Sequence, residues 1–264
     1  MTPTVNAVIG LSIIFLATAL GSAFVFFFAK KPISETVRKM FLGFAAGVML
    51  AASIFSLIVP SLEAENPVMP TWIIVAVSVT AGALFMWGID KLVPHFHIEG
   101  GEEGLHSNIN KTAKMFLAVT IHNVPEGLSV GIAYGVALAS WTANQEAALL
   151  GALMLAIGIA IQNIPEGAVV SLSMRGEGAT SKKSFLFGVA SGAVEPLAGI
   201  VGLFLAMQLQ AVMPFALSFA AGCMLYVIAE EMIPDMTGDS THHHGVWSFI
   251  AGFVLMMSLD VALG

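Results

Sequence analysis

Hydrophobic residues run along this chain in eight long blocks separated by short polar segments. Each block reaches the ~20 mostly apolar residues that a helix needs to cross a bilayer. The expected spans are residues 6–29, 40–62, 71–90, 114–138, 146–172, 184–208, 213–234 and 246–263. Two of the blocks contain what lipid tolerates least. His122-Asn123-Val124-Pro125-Glu126-Gly127 lies in the fourth, and Gln162-Asn163-Ile164-Pro165-Glu166-Gly167 in the fifth. A charge at the bilayer centre costs at least ~2.5 kcal/mol, so two near-identical polar segments read as a built site.

Composition sharpens this. The 264 residues are 57% hydrophobic and 10% charged, against ~25% charged in soluble domains. A water-soluble core is excluded, and the chain reads as an all-α integral membrane protein whose folding solvent is lipid. The single cysteine, Cys223, rules out an internal disulfide and any cysteine-rich metal cluster. A formal net charge of −7 gives no basic footprint for nucleic acid. No nucleotide-binding motif is present, so neither nucleic acid nor nucleotide is an expected partner. No basic stretch precedes the first apolar run, which therefore reads as a retained span rather than a cleavable signal peptide.

Charge sets the orientation. All ten basic residues fall in odd-to-even loops: Lys30, Lys31, Arg38 and Lys39 between spans 1 and 2; Lys91, Lys111 and Lys114 between 3 and 4; Arg175, Lys182 and Lys183 between 5 and 6. The positive-inside rule makes these loops cytoplasmic and puts both termini outside. Residues 91–113 are then a cytoplasmic His- and acid-rich loop. The loop between spans 7 and 8 is cytoplasmic too, and carries Asp235, Asp239 and His242-His243-His244, too few and too central to be a purification tag.

The chain also repeats itself. Phe44-Ala-Ala-Gly-Val-Met-Leu50 matches Phe219-Ala-Ala-Gly-Cys-Met-Leu225, and Ala81-Gly82 with Asp90 matches Ala251-Gly252 with Asp260. The hexapeptides relate span 4 to span 5. Paired spans run in opposite directions, which gives a 3+2+3 inverted repeat, the design with which transporters alternate around a midplane site. Spans 1 and 6 match too weakly to be used.

On a helix His122 shares a face with Glu126, and Gln162 with Glu166, while Asn123 and Asn163 lie about 100° round. Pro125 and Pro165 each remove an amide donor and collide with the carbonyls of Ile121 and Ile161, which lipid permits only beside protein or a polar cavity. A third intramembrane carboxylate, Glu195, precedes Pro196. Three proline-flanked glutamates from three spans are expected to converge on one point. One imidazole, three carboxylates and three amides suit Zn²⁺, and also Fe²⁺, Mn²⁺, Co²⁺ or Cd²⁺. No thiol or methionine cluster argues for Cu⁺. The plainer readings are a structural His–Glu pair, simple kinks and amide glue between helices. They do not account for all three glutamates together with the repeat.

Beyond this centre, Asp90, His95 and His97 lie near Glu99, Glu102, Glu103 and His106, with Glu230 and Glu231 at the end of span 7. They read as an exit relay or a metal-sensing patch, the bland alternative being a solvated acidic loop. Asp260, the mate of Asp90, falls near the outer surface as an outer-side ligand, with Glu63 and Glu65 as steering charges. Met49 and Ser53 are placed at the entrance. Gly43-x-x-x-Gly47 and Gly131-x-x-x-Gly135 are read as close-packing faces within one subunit.

At these residues the chain resembles the ZIP (Zrt/Irt-like) divalent metal transporters of the GufA-like branch. The resemblance covers nearly the whole chain: the paired N-x-P-E-G elements, the Glu-Pro of span 6, the Phe-Ala-Ala-Gly segments and Pro94-His-x-His97. It implies a single transporter domain over residues 1–264, eight helices with both termini outside, and a homodimer in the plasma membrane (the inner membrane of a bacterium). It also implies import of divalent metal as substrate, without a cofactor, with spans 1, 4, 5 and 6 moving against 2, 3, 7 and 8. By position it makes His122, Glu126, Gln162 and Glu166 the main ligands, Asn123, Asn163 and Glu195 a neighbouring second site, and Asp90, His95, His97, Glu230 and Glu231 an intracellular site. Asn163 stands where some members have aspartate, Gln162 where some have histidine, and Glu230 where histidine is frequent. These departures weaken a second metal and leave one ion or two open.

Zinc import is thus the leading reading, with carrier-like and channel-like flux both open. An intramembrane zinc protease would need His-Glu-x-x-His, which is absent. A membrane metal sensor would not require mid-membrane prolines and carboxylates. Efflux differs from import only in direction, which sequence does not fix.

Overall fold

Polar caps, rather than lipid thickness, decide where several helices begin and end. The Ser34 hydroxyl accepts the Val37 N–H at 3.3 Å, so the second helix starts at Glu35 rather than at residue 40. Thr180 does the same for Lys183 at 3.3 Å and moves the sixth start to Ser181. Gly178, at φ 94°, ends the fifth helix late: its own N–H bonds Arg175 O and the Ala179 N–H reaches back to Met174 O at 3.2 Å, a Schellman closure that carries the helix on to Gly176.

The structure, a computed structural model, describes residues 2–28, 33–64, 69–97, 101–103, 111–139, 145–208, 213–237 and 243–263. Its helices are α1 (Pro3–Phe28, with a turn after Ser22), α2 (Glu35–Glu63), α3 (Thr71–Leu92), α4 (Lys111–Ala139), α5 (Gln145–Gly176), α6 (Ser181–Gln208), α7 (Pro214–Thr237) and α8 (His244–Ala262). Seven of them are long and apolar enough to cross a membrane; α4 has 29 residues and carries the first hexapeptide. Between α3 and α4, where a loop was expected, β1 (His95–His97) and β2 (Gly101–Glu103) pair antiparallel with His95 opposite Glu103. Three-residue strands are too short to leave a period-two signature in the sequence.

Polarity is arranged inside out. Phe27 (79% exposed), Trp247 (69%) and Trp72 (65%) face outward, while Glu126, Gln162, Asn163 and Glu195 are all 1% exposed or less. An apolar exterior around a polar interior is what lipid selects. With the apolar helices it makes this a multi-pass membrane protein.

The main packing pairs are α1 with α5, α4 with α6, α2 with α8 and α3 with α7. They are pressed together at glycines. A Cβ at Gly47 would lie 2.0 Å from Phe249 O, and one at Gly222 would lie 2.1 Å from Val79 O. Gly43, Gly131 and Gly135 likewise abut Gly245, Gly199 and Leu203 of the same chain, so both small-residue faces serve packing within the subunit.

Two helices widen part-way along. α2 turns π-helical over Ala52–Ile58 and α7 over Ile228–Met232, and each wide segment ends two residues before a proline, Pro60 or Pro234. A proline ring collides with the carbonyl four residues back, and the wider turn gives it room. By contrast α4 and α5 run unbroken through Pro125 and Pro165.

Candidate metal centre

The two hexapeptides bring α4 and α5 together through their polar residues. The Gln162 amide donates to Glu126 Oε1. One residue round the helix, Asn123 Nδ2 donates to Glu195 Oε1 at 3.2 Å and Asn163 Nδ2 to Glu195 Oε2 at 2.8 Å. Thr18 of α1 adds a third donor to Glu195, Oγ1 to Oε1 at 2.7 Å. Glu195 stands in the first turn after the break in α6 at Ala193. Pro196 is tolerated there, and the free N–H groups of the turn favour a carboxylate. Among the described residues, four buried oxygens around this network have no hydrogen-bond donor: Asn123 Oδ1, Glu126 Oε2, Gln162 Oε1 and Asn163 Oδ1.

A cavity of about 70 Å³ opens beside these groups towards the end of the bundle that carries Lys and Arg. His122, Glu126 and Glu166 line it from α4 and α5; Glu231 and Asp235 line it from α7. His122 Nε2 pairs with Glu231 Oε1. A second cavity, of about 370 Å³, is lined by the opposite halves of α2, α4, α5 and α7 together with α8, and contains Ser56, Glu63 and Asp260. Ser56 donates to Asp260 Oδ2.

Several expectations change. Glu126 and Glu166 line the cavity, while Glu195 is held by Thr18, Asn123 and Asn163. Among the described residues no three His, Cys, Asp or Glu side chains gather into a metal group. Of the intracellular set, Asp90, Glu230 and Glu231 have described side chains. Glu231 turns into the central cavity, Glu230 faces outward, and Asp90 is buried and accepts from Tyr226 OH at 3.2 Å. His95 and His97 share β1, and Glu102 and Glu103 share β2, but their side chains lie outside the described residues, as do Glu65, Glu99, His106, Asp239 and His242. Met49 lines the cavity at the basic end rather than the entrance, and Ser53 is buried with its hydroxyl on Met49 O at 2.8 Å. Met174 and Met232 line the same cavity, a placement that no sequence motif announces. Thr18, Ser56 and the pairing of Glu231 with His122 were not anticipated; a lone hydroxyl in an apolar run was the only available signal.

The chain is similar in sequence to known proteins. The ZIP Zinc transporter family model matches residues 112–260. Zinc transporter ZIP11 of Homo sapiens is 33% identical over 94% of each chain. Zinc transporter ZIPB of Bordetella bronchiseptica is 35% identical over 98% of this chain and 81% of its own. Zinc transporter GufA of Myxococcus xanthus is 34% identical over 80% of this chain and 81% of its own. With polar side chains buried inside a helical membrane bundle and likeness along nearly its whole length, this chain belongs to the ZIP zinc transporter family.

Proposed function

We propose that the chain imports divalent transition metals, zinc foremost, by alternating access past His122, Glu126, Gln162 and Glu166. Zinc is the substrate and no cofactor is required; Cd²⁺, Fe²⁺, Mn²⁺ and Co²⁺ suit the same donors. The observation that carries this reading is the group of four buried oxygens without donors, next to an imidazole and a lined cavity. A buried acceptor left unsatisfied costs about 1–3 kcal/mol, and a cation satisfies several at once.

Alternating access draws support from an inverted repeat of eight spans. Once Phe44 is matched to Phe219 and Gly82 to Gly252, the contact of Gly47 with Phe249 O and that of Gly222 with Val79 O fall at equivalent positions. Gly127 against Glu195 O and Gly167 against Thr18 O form another pair, making Thr18 the mate of Glu195 and supplying the link between α1 and α6 that the sequence lacks. The wide turns of α2 and α7 correspond as well. Under the positive-inside rule the His122 cavity faces the cytoplasm, both termini lie outside, and in a bacterium the inner membrane is the expected location. A homodimer is part of the same reading.

Radioactive zinc uptake into proteoliposomes, compared with empty vesicles, tests transport. Saturable flux is expected. Folded, zinc-binding protein that gives no flux would turn the reading towards a membrane metal sensor.

A further inference from the structure

Glu195 is fully buried and accepts hydrogen bonds from three other helices. A carboxylate offers about four lone-pair sites, and Thr18, Asn123 and Asn163 occupy three of them. The asparagines are held just as firmly from their own side. Both N–H groups of Asn123 are used, on Glu195 Oε1 and on Ser191 O at 3.1 Å; both of Asn163 are used, on Glu195 Oε2 and on Ile14 O at 3.3 Å. Flipping either amide would set its oxygen against a carboxylate and a backbone carbonyl. The orientation is therefore fixed by chemistry, and each Oδ1 is turned away from Glu195. Those two Oδ1 atoms are half of the unpartnered group; the other half, Glu126 Oε2 and Gln162 Oε1, lies on the same helices within one turn.

We propose that Glu195 is a positioning residue and not a metal ligand: it holds Asn123 and Asn163 with their carbonyl oxygens towards a single divalent cation shared with Glu126 and Gln162. The space between Glu195 and the asparagines is closed by N–H donors, which repel a cation, so no second ion enters there. This rests on the reading that the chain carries metal at this level. It differs from the second site that position alone would assign to Asn123, Asn163 and Glu195.

The test counts zinc on the full-length chain in detergent by equilibrium dialysis, with zinc as the only added metal. The His122→Ala/Asn123→Ala/Glu126→Ala/Asn163→Ala/Glu166→Ala/Glu195→Ala variant, shown to be folded, removes both candidate positions and gives the contribution of sites elsewhere. Wild type is expected to exceed it by one ion. An excess of two overturns the proposal, and an excess of zero overturns it together with the metal-centre reading beneath it. Glu195→Gln is then expected to keep the wild-type count at saturation while binding about 10–100-fold more weakly, as partners behind a metal ligand do. With Co²⁺ in place of zinc, its visible bands are expected to stay where wild type has them. Loss of an ion or displaced bands in Glu195→Gln would make Glu195 a ligand and end the proposal. Should that variant fail to fold, the wild-type count decides alone.

Discussion

Glu231 of α7 pairs with His122 of α4 across the basic-end cavity. The pair takes up the imidazole nitrogen that a metal would use, and joins a helix of the proposed 1-4-5-6 group to one of the 2-3-7-8 group. Glu231 reaches this point because it stands in the wide segment Ile228–Met232, next to outward-facing Glu230. A metal bound at His122 therefore has a carboxylate of the opposite group within reach.

Replacing that carboxylate should slow transport. Glu231→Gln keeps the shape and removes the charge, and is expected to cut the initial rate of zinc uptake by about tenfold, the lower range for losing a partner of a metal ligand. Glu231→Asp should recover part of it. Initial rates in proteoliposomes over a range of zinc concentrations provide the check; wild-type rates in Glu231→Gln would reduce the residue to packing.

Helix contact through glycine makes a stability prediction with its own control. Gly47→Ala would place a methyl 2.0 Å from Phe249 O, and overpacking of this kind costs about 1–3 kcal/mol or more. A Cβ at Gly151 meets nothing within 4 Å. Thermal melting in detergent should fall clearly for Gly47→Ala and stay level for Gly151→Ala. Equal melting of the two would contradict the close α2–α8 contact.

Thr18 predicts an effect at a distance from the cavity. Thr18→Val retains the shape but removes the 2.7 Å bond to Glu195 Oε1, leaving Asn123 as that oxygen's donor and costing about 0.5–1.5 kcal/mol, the net contribution of one hydrogen bond. A lower melting point is expected; no change would mean that Thr18 does not support Glu195.

The thioethers of Met49, Met174 and Met232 predict selectivity. Soft sulfur favours soft cations, so Met174→Leu/Met232→Leu should lower the potency of Cd²⁺ as a competitor of zinc uptake on the order of tenfold, equivalent to ~1.4 kcal/mol, and leave Mn²⁺ unaffected. Competition curves for both ions settle it. A parallel loss for Cd²⁺ and Mn²⁺ would mark these methionines as packing alone.

What the sequence made legible follows from local rules. Apolar blocks gave the helices within a few residues, and i,i+4 spacing put His122 and Glu126 on one face, which lines the cavity; Glu166 lines it too, without Gln162. Gly43, Gly47, Gly131 and Gly135 were recognisable as contact points because only glycine lets two backbones approach so closely. The rest depended on tertiary approach. The pairing of Glu231 with His122 needs α7 beside α4. The capture of Glu195 by Asn123 and Asn163 needs two amide orientations that residue type does not encode. The wide turns precede Pro60 and Pro234, and a proline in an apolar run does not by itself say whether the helix widens or, as at Pro125 and Pro165, runs on unbroken.

The central claim is that metal crosses at the hexapeptide centre. It is tested most directly by zinc uptake into proteoliposomes containing wild type or His122→Ala/Glu166→Ala, each shown to be folded and equally incorporated. Saturable uptake by wild type that falls to the level of empty vesicles in the variant is the expected result. Uptake by the variant at the wild-type rate would contradict the account, because metal would then be crossing by a route that avoids this centre.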